Sequence, residues 1–346
     1  MAPSPPSRGP HLAIRPDWLA LTREPALEPA LPIIDPHHHF YDKPGVRYFF
    51  FDLADDIASG HNVRATVYME ARTMYRAGGP PELRCVGETE FVAGMAAMGA
   101  SGLYGDCRVC AGIVGYADFR LHNRVGAVLD AHIAAGGGRF RGIRQIASWH
   151  ADPAANASLS AAPPGLLMDA DFRKGFAALA PRGLSFDAWC YHTQLGEVLD
   201  LARAFQDTTF VLNHVGGAIG VGPYAGKRDE AFAEWKRGIT ALAQCPNVNV
   251  KVGGFGMRMF GFDVHAGPRA PTSDTLAKAW APHIETAIAA FGPQRAMFES
   301  NFPVDKGSCG YGVLWNAFKR IAQNYSADEK AALFQGTAAR VYRISV

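Results

Sequence analysis

Leu31-Pro32-Ile33-Ile34-Asp35-Pro36-His37-His38-His39-Phe40 decides how the rest of the chain is read. The apolar pair Ile33-Ile34 leads into Asp-Pro and then into three consecutive histidines. A short apolar run of this kind reads as a buried strand. On a strand, residues two apart share a face, so His37 and His39 point together and His38 points away. On a helix the same spacing would splay the two rings to nearly opposite sides. Paired imidazoles at the end of a buried strand can hold a metal ion or grip an anionic substrate. Taken alone, the stretch is equally compatible with a histidine cluster in a surface loop.

Moving outward, short apolar runs rich in β-branched residues alternate with amphipathic helical stretches. The expected strands are Ile33–Asp35, Arg64–Glu70, Val109–Tyr116, Gly142–Ser148, Leu184–Tyr191, Thr209–His214, Val248–Val252 and Ala296–Glu299. Helices are expected over Gly87–Met98, Asn123–Ala135, Asp171–Ala180, Gly196–Phe205, Asp229–Gln244, Asp274–Phe291, Tyr311–Asn324 and Ala327–Val341. Ser326 and Glu329 have capping-box spacing at the start of the last of these. Nearly all-apolar strands separated by helices imply a parallel sheet covered on its faces. Eight such units favour one closed (β/α)8 TIM-type barrel with inserted βα loops, spanning residues 31–346. Residues 1–30 read as a Pro-rich, disordered tail followed by an extended arm lying on the body.

Composition narrows the function. The chain has 346 residues, 48% hydrophobic and 19% charged, with a formal charge of only +2. Without a Lys/Arg block, nucleic acid and anionic membrane surfaces are not expected partners. No apolar run approaches the roughly 18 residues of a membrane span, and the N-terminus lacks the apolar core of a signal peptide. Six cysteines in so long a chain do not form a disulfide framework, and the Cys107-x-x-Cys110 pair leads into an apolar strand, so buried thiols are expected. The expected setting is the reducing cytoplasm.

In a barrel of this type, chemistry belongs at the C-terminal ends of the strands. Polar residues collect there: His37 and His39 on strand one, Glu70 and Arg72 on strand two, Arg144 and Gln145 on strand four. Strand five ends Trp189-Cys190-Tyr191-His192, strand six ends Asn213-His214, strand seven carries Lys251, and strand eight runs Glu299-Ser300-Asn301-Phe302-Pro303-Val304-Asp305. His37, His39 and His214 are the candidate metal ligands and catalytic residues. With a carboxylate they would hold a divalent ion that lowers the pKa of bound water and polarises a carbonyl.

A cation inside a barrel must be paired or must meet a ligand. Arg144 and Lys251 are therefore candidates to bind a substrate carboxylate, the alternative being an ion pair such as Arg144 with Glu70. Tyr191, His192 and Glu70 complete the substrate-binding candidates. Asp187, Trp189 and Tyr191 share one strand face, so His192 turns inward only if the strand has already ended. The glycines of Gly216–Gly222 and Gly253–Gly256 match no phosphate loop and read as tight backbone at strand ends. The apolar segment Phe255–Thr272 is expected over the barrel mouth as a substrate loop, unless it packs as an ordinary loop or as a homo-oligomer contact.

Assembled, these pieces resemble the amidohydrolase superfamily, and within it the amidohydrolase-related family 2. The resemblance rests on Ile34-Asp35-Pro36-His37-His38-His39-Phe40, Phe140-Arg-Gly-Ile-Arg144, Asn213-His214-Val-Gly216-Gly217, Met297-Phe-Glu-Ser-Asn301-Phe-Pro303 and Gly336-Thr-Ala-Ala-Arg340-Val-Tyr342, in family order. It implies a TIM-type barrel and chemistry on a lactone, amide or carboxylated ring. Sugar and muconate-type lactonases, a metal-free pyrone-dicarboxylate lactonase and metal-dependent decarboxylases are the branches it implies.

One position departs from the resemblance. The family pattern at the end of strand eight is Ser-Asp-x-Pro, its Asp serving as metal ligand and general base; here Asn301 stands in its place. An amide cannot take a proton from water at neutral pH. Either Glu299 or Asp305 supplies the carboxylate, or the site works differently, so Glu299, Asn301 and Asp305 all remain catalytic candidates. The expected cofactor is a divalent metal, Zn or Mn, with a metal-free site as the alternative. The leading expectation is lactone ring opening in a small carboxylated substrate. A metal-dependent decarboxylase and a degenerate barrel that only binds a small acid are the alternatives.

Overall fold

Eight strands pair in chain order, every one parallel to its neighbours. They are β1 (Pro32–His38), β2 (Asn62–Met69), β3 (Arg108–Gly115), β4 (Phe140–Ile143), β5 (Ser185–Ala188), β6 (Phe210–Leu212), β7 (Val248–Lys251) and β8 (Ala296–Met297). The computed structural model describes residues 11–43, 46–156 and 162–345. The Pro-rich start of the tail, residues 1–10, lies outside them.

β8 pairs with β7, and the ring is completed just past β8 rather than within it. Asn301 N donates to His37 O at 2.9 Å, and His39 N donates to Phe302 O at 2.8 Å. The barrel is thus closed at its C-terminal mouth by the two segments that carry the strand-one histidines and Asn301. Helices surround the sheet, giving a (β/α)8 barrel.

Side-chain alternation sorts the strands into two apolar layers. Ile34, Ala65, Val67, Met69, Val211 and Met297 form the interior cluster, together with Ala338, Val341 and Tyr342 of the terminal helix Thr337–Tyr342, which plugs the N-terminal end. Ile33, Tyr68, Ile113, Phe186, Phe210 and Val250 instead meet the helix layer. Strict period two would leave His37 on the same outer face as Ile33 and Asp35. Between Asp35 and His38, however, β1 spends one residue more than β2, since Asp35 opposes Thr66 while His38 opposes Tyr68. This bulge at Pro36 reverses the phase, as bulges do. His37 and His39 are thereby turned inward, and His38 outward onto Thr66.

Several expected boundaries move. β4 stops at Ile143 and β5 at Ala188, so Arg144 and Tyr191 lie past their strands. The expected Asn123–Ala135 helix begins at Val125 after a 3-10 turn, and the last helix is interrupted by a π turn over Ala332–Gly336. The capping box of Ser326 and Glu329 forms, with bonds of 2.8 and 3.3 Å. A helix not anticipated from the sequence spans Phe50–Ile57, its start capped by Asp52 Oδ2 accepting from Phe49 N at 2.8 Å. The arm is not fully extended, because Pro16–Ala20 is helical. Trp18 Nε1 donates to Gly267 O at 2.9 Å, and Lys319 Nζ donates to Leu27 O and Glu28 O at 2.7 and 2.9 Å, tying the arm to the body. All six cysteines are free thiols.

Candidate active site

The ends of seven of the eight strands, β3 excepted, bring polar side chains toward a common centre, β1 contributing two. Glu299, two residues past β8, lies between two histidines. Its Oε1 is 2.7 Å from His214 Nδ1 and accepts from His214 N at 3.1 Å, while its Oε2 is 2.8 Å from His37 Nδ1. His37 Nε2 is 3.2 Å from His39 Nε2. His39 Nδ1 is 2.9 Å from Met69 O. A carbonyl only accepts, so Nδ1 carries the His39 proton and Nε2 of the neutral ring is bare. Burial, before the neighbouring Lys251, His214, His39 and Arg144, depresses the His37 pKa far below the usual histidine value. Burial likewise depresses His39 and His214, the latter opposed by Glu299.

Two glycines make this approach achievable. A Cβ on Gly254 would stand 2.4 Å from His214 Nδ1, and its φ of +76° is itself a glycine conformation; a Cβ on Gly253 would stand 2.5 Å from Glu299 Cγ. The strand-end glycines thus hold backbone against the site rather than cradle phosphate.

Below and beside the histidines lie two cations, each already paired. Lys251 Nζ donates to Asp187 Oδ1 at 2.8 Å and lies 3.4 Å from His37 Nδ1. Asp187 Oδ1 also accepts from Asn213 Nδ2 at 2.9 Å and from Tyr342 OH at 2.8 Å. Arg144 Nε donates to Glu70 Oε1 at 2.9 Å, its Nη2 to Glu70 O, and its Nη1 reaches His37 Nε2 at 3.3 Å. The Arg144–Glu70 ion pair weighed from the sequence therefore forms. Both cations sit in the wall of the site with their charges answered by protein carboxylates.

Asn301 and Asp305 form a pair of their own. Asn301 Nδ2 donates to Asp305 Oδ1 at 2.9 Å, and Gly256 N donates to Asp305 Oδ2 at 2.9 Å. Burial pushes the Asp305 carboxyl up to about 8 despite these donors. Of the two carboxylates considered for the strand-eight position, Glu299 touches the histidines, whereas Asp305 receives Asn301 and the Gly256 loop.

His192 is not brought to this centre. Tyr191 is buried beside Trp189, with ring centroids 6.1 Å apart. His192 Nδ1 accepts from Ile219 N at 3.2 Å, its ring lies against Tyr224, and its Nε2 is 3.8 Å from Glu234 of the helix Arg228–Leu242. With β5 ended at Ala188, its side chain has turned toward the helix layer. The Phe255–Thr272 segment also packs mainly sideways: Phe255 contacts Trp280 and His283, and Phe262 contacts His283, while Met257 alone joins Tyr41, Ala71 and Val304. Two nearby residues escaped the sequence reading. Tyr41 stacks on His39 at 5.4 Å and 22°, and Lys43 Nζ lies 4.2 Å over the Tyr41 ring. Extending the period-two reading past His39 would have reached both.

Whether a metal ion suits these residues can be tested on His37. If His37 is protonated at Nδ1, two bare Nε2 atoms face each other at 3.2 Å. If it is protonated at Nε2, a bare Nδ1 faces a carboxylate oxygen at 2.8 Å. Either neutral tautomer leaves two lone pairs opposed, and the depressed pKa disfavours a second proton. Glu299 Oε2 is buried and has a donor only in the first of these tautomers. His37, His214 and Glu299 offer ligand atoms all within 4.8 Å of one another. Imidazole and carboxylate donors of this kind suit a divalent transition ion, so the residues fit the group.

A parallel barrel with His-x-His at the end of strand one, histidine after strand six and a carboxylate after strand eight defines a hydrolase-type enzyme of the amidohydrolase kind. The chain belongs to the amidohydrolase family, whose model matches residues 34–344. It is 42% identical over 233 residues to an uncharacterised protein of Sinorhizobium fredii, covering 67% of this chain and 70% of that one. It is 29% identical over 235 residues to L-fucono-1,5-lactonase of Burkholderia multivorans, covering 68% and 72%. An amidohydrolase from Burkholderia multivorans crystallised with bound zinc superposes with a TM-score of 0.69 at 27% identity, over 90% of this chain and 99% of that one. No helix among the described residues is long and apolar enough to cross a membrane.

Proposed function

We propose that the chain opens the ring of a small carboxylated lactone, with His37, His214 and Glu299 holding a divalent ion at the barrel mouth and His39 standing beside them. The observation that carries this reading is the buried Glu299 carboxylate set between His37 and His214, its two oxygens 2.8 and 2.7 Å from their Nδ1 atoms. The likeness to L-fucono-1,5-lactonase supports ring-opening chemistry, and the zinc-bound relative supports a metal. Bound there, such an ion supplies Lewis acidity toward the acyl oxygen and lowers the pKa of water.

Hydrolysis forms one C–O bond from water to the acyl carbon and breaks the ring C–O bond. The water proton goes to a base, which returns it to the departing ring oxygen so that this leaves as a hydroxyl. Asn301 cannot serve as that base, because an amide does not accept the proton and its NH2 group is committed to Asp305. Neutral His39, with Nδ1 fixed on Met69 O and Nε2 bare, is oriented to accept it. Arg144 and Lys251, anchored by Glu70 and Asp187, keep the site electrostatically balanced and fix the rings rather than release charge to the ligand.

The test is proton release from a panel of sugar and pyrone lactones by protein loaded with Zn or Mn, with carbon dioxide release from aromatic acids measured in parallel. Ring opening by wild type and its loss in Glu299→Gln support the proposal. Carbon dioxide release without ring opening replaces it with the decarboxylase reading. An inert protein that still binds acids replaces it with a degenerate barrel.

A further inference from the structure

We propose that Lys43 and Arg72, backed by the rings of Tyr41 and Tyr116, form an anion subsite at the barrel mouth that takes a carboxylate remote from the reacting acyl carbon. The inference rests on the site described above being the substrate site, and it assigns that site's specificity to residues not previously given a role.

The cations inside the barrel are poor candidates for this task. Arg144 gives two donors to Glu70, and Lys251 shares Asp187 with Asn213 and Tyr342. The mouth is different. Lys43 is half-buried, donates to Ala71 O at 2.7 Å and lies over the Tyr41 ring at 4.2 Å. Arg72 follows Ala71 directly, is exposed, and lies 5.2 Å over the Tyr116 ring. Among the described residues neither has a carboxylate within ion-pair distance.

The nearby acids are turned to other partners through at least one oxygen, Glu70 and Glu88 keeping a buried Oε2 without a hydrogen-bond partner among the described residues and both attracting Lys43 at a distance. Asp118 binds Arg120 at 3.0 and 3.1 Å and accepts from Gln145 at 3.0 Å. Glu70 holds Arg144, and Glu88 Oε1 accepts from Tyr68 OH, Ala71 N and Thr73 N. Lys43, on the segment after β1, and Arg72, on the segment after β2, are close enough to repel each other and neither is ion-paired among the described residues, so a bound anion would relieve them.

The backbone reinforces the point. Arg72 has φ +55° and Met74 has φ +53°, a conformation that L side chains rarely adopt. The Glu88 carboxylate grips the amides on either side of Arg72, namely those of Ala71 and Thr73, at 2.8 and 3.3 Å. The turn is therefore held by a buried acceptor, with the Arg72 guanidinium presented outward. Continuity with the reacting centre comes from His39, which stacks on Tyr41, which in turn underlies Lys43. A sugar acid with its acyl carbon among the histidines extends along Tyr41 toward the two cations.

The test uses D-glucarate and D-gluconate, ring-opened acids that differ only in a terminal carboxylate against a hydroxymethyl group, titrated calorimetrically into full-length protein. Because neither is hydrolysed, the outcome is independent of whether lactone opening is observed. Wild type should bind glucarate at least tenfold more tightly, and the preference should fall below threefold in Lys43→Gln/Arg72→Gln. Arg72→Gly, which suits the positive φ, should retain the wild-type melting temperature while losing most of the preference. Equal binding of the two acids by wild type, no detectable binding of glucarate, or an undiminished preference in the double variant overturns the subsite.

Discussion

The amide of Asn301 donates a 2.9 Å hydrogen bond to the carboxyl of Asp305, four residues on and fully buried. The amide suits Asp305 whether or not that carboxyl is ionised. Asn301→Asp would set a second carboxyl against Asp305, and two buried like charges cannot both ionise at low cost. The variant should lose about 1–3 kcal/mol of stability at pH 7, and more at pH 9 than at pH 5. Denaturant melts at the two pH values measure this. A variant as stable as wild type at pH 9 would show that the position tolerates the charge.

Asp305 should also shape the stability of the unmodified protein. Burial raises Asp305 and Glu88 to about 8 and Asp35 to about 6. A carboxyl with a raised native pKa holds its proton where the unfolded chain has lost it, so stability falls as pH rises from the unfolded value toward the native one. The site histidines are depressed, and they make stability rise with pH only up to their ordinary value of 6.5. Between pH 6.5 and about 8 the histidine contribution is complete, and the raised carboxyls should make stability decline. Asp305→Asn should make that decline shallower. An unchanged slope in the variant would remove Asp305 from the explanation.

Much of this arrangement was legible in the sequence because strand ends in a barrel have a fixed meaning. The eight runs placed His37, His39, Arg144, His214, Lys251 and Glu299 where the structure brings their side chains together. The parts that were not legible depend on phase and on distant partners. His37 faces inward only because of the bulge at Pro36, which alternation cannot predict. His192 turns outward because β5 ends at Ala188, three residues before Tyr191. That Glu299 rather than Asp305 meets the histidines follows from closure of the ring through Asn301 N and Phe302 O, a contact between chain segments more than two hundred and fifty residues apart.

A bound divalent ion should appear as stabilisation. The cluster of His37, His214 and Glu299 exists only in the folded chain, so an ion at 100 times its Kd adds about 2.7 kcal/mol. Metal-stripped protein titrated with Zn should melt at a higher temperature. Glu299→Gln should abolish most of that shift, since an amide replaces the charged donor. A shift of wild-type size in Glu299→Gln would place the ion elsewhere.

The last helix should matter to the site from below. Tyr342 OH is one of three donors converging on Asp187 Oδ1, beside Lys251 and Asn213. Tyr342→Phe removes a neutral donor to a charged acceptor that keeps two others, and should cost about 1.5–3 kcal/mol. Lys251→Met leaves Asp187 buried without its counter-charge and should cost about 3–5 kcal/mol. If the two residues stabilise the same carboxylate, the costs will not add: once Lys251 is gone, the remaining donors carry more of the burden, and Tyr342→Phe should then cost more than it does in wild type. A double-mutant cycle in denaturant measures that coupling. Strict additivity would mean that Tyr342 acts only by packing with Ile34, Val211 and Met297 in the barrel floor.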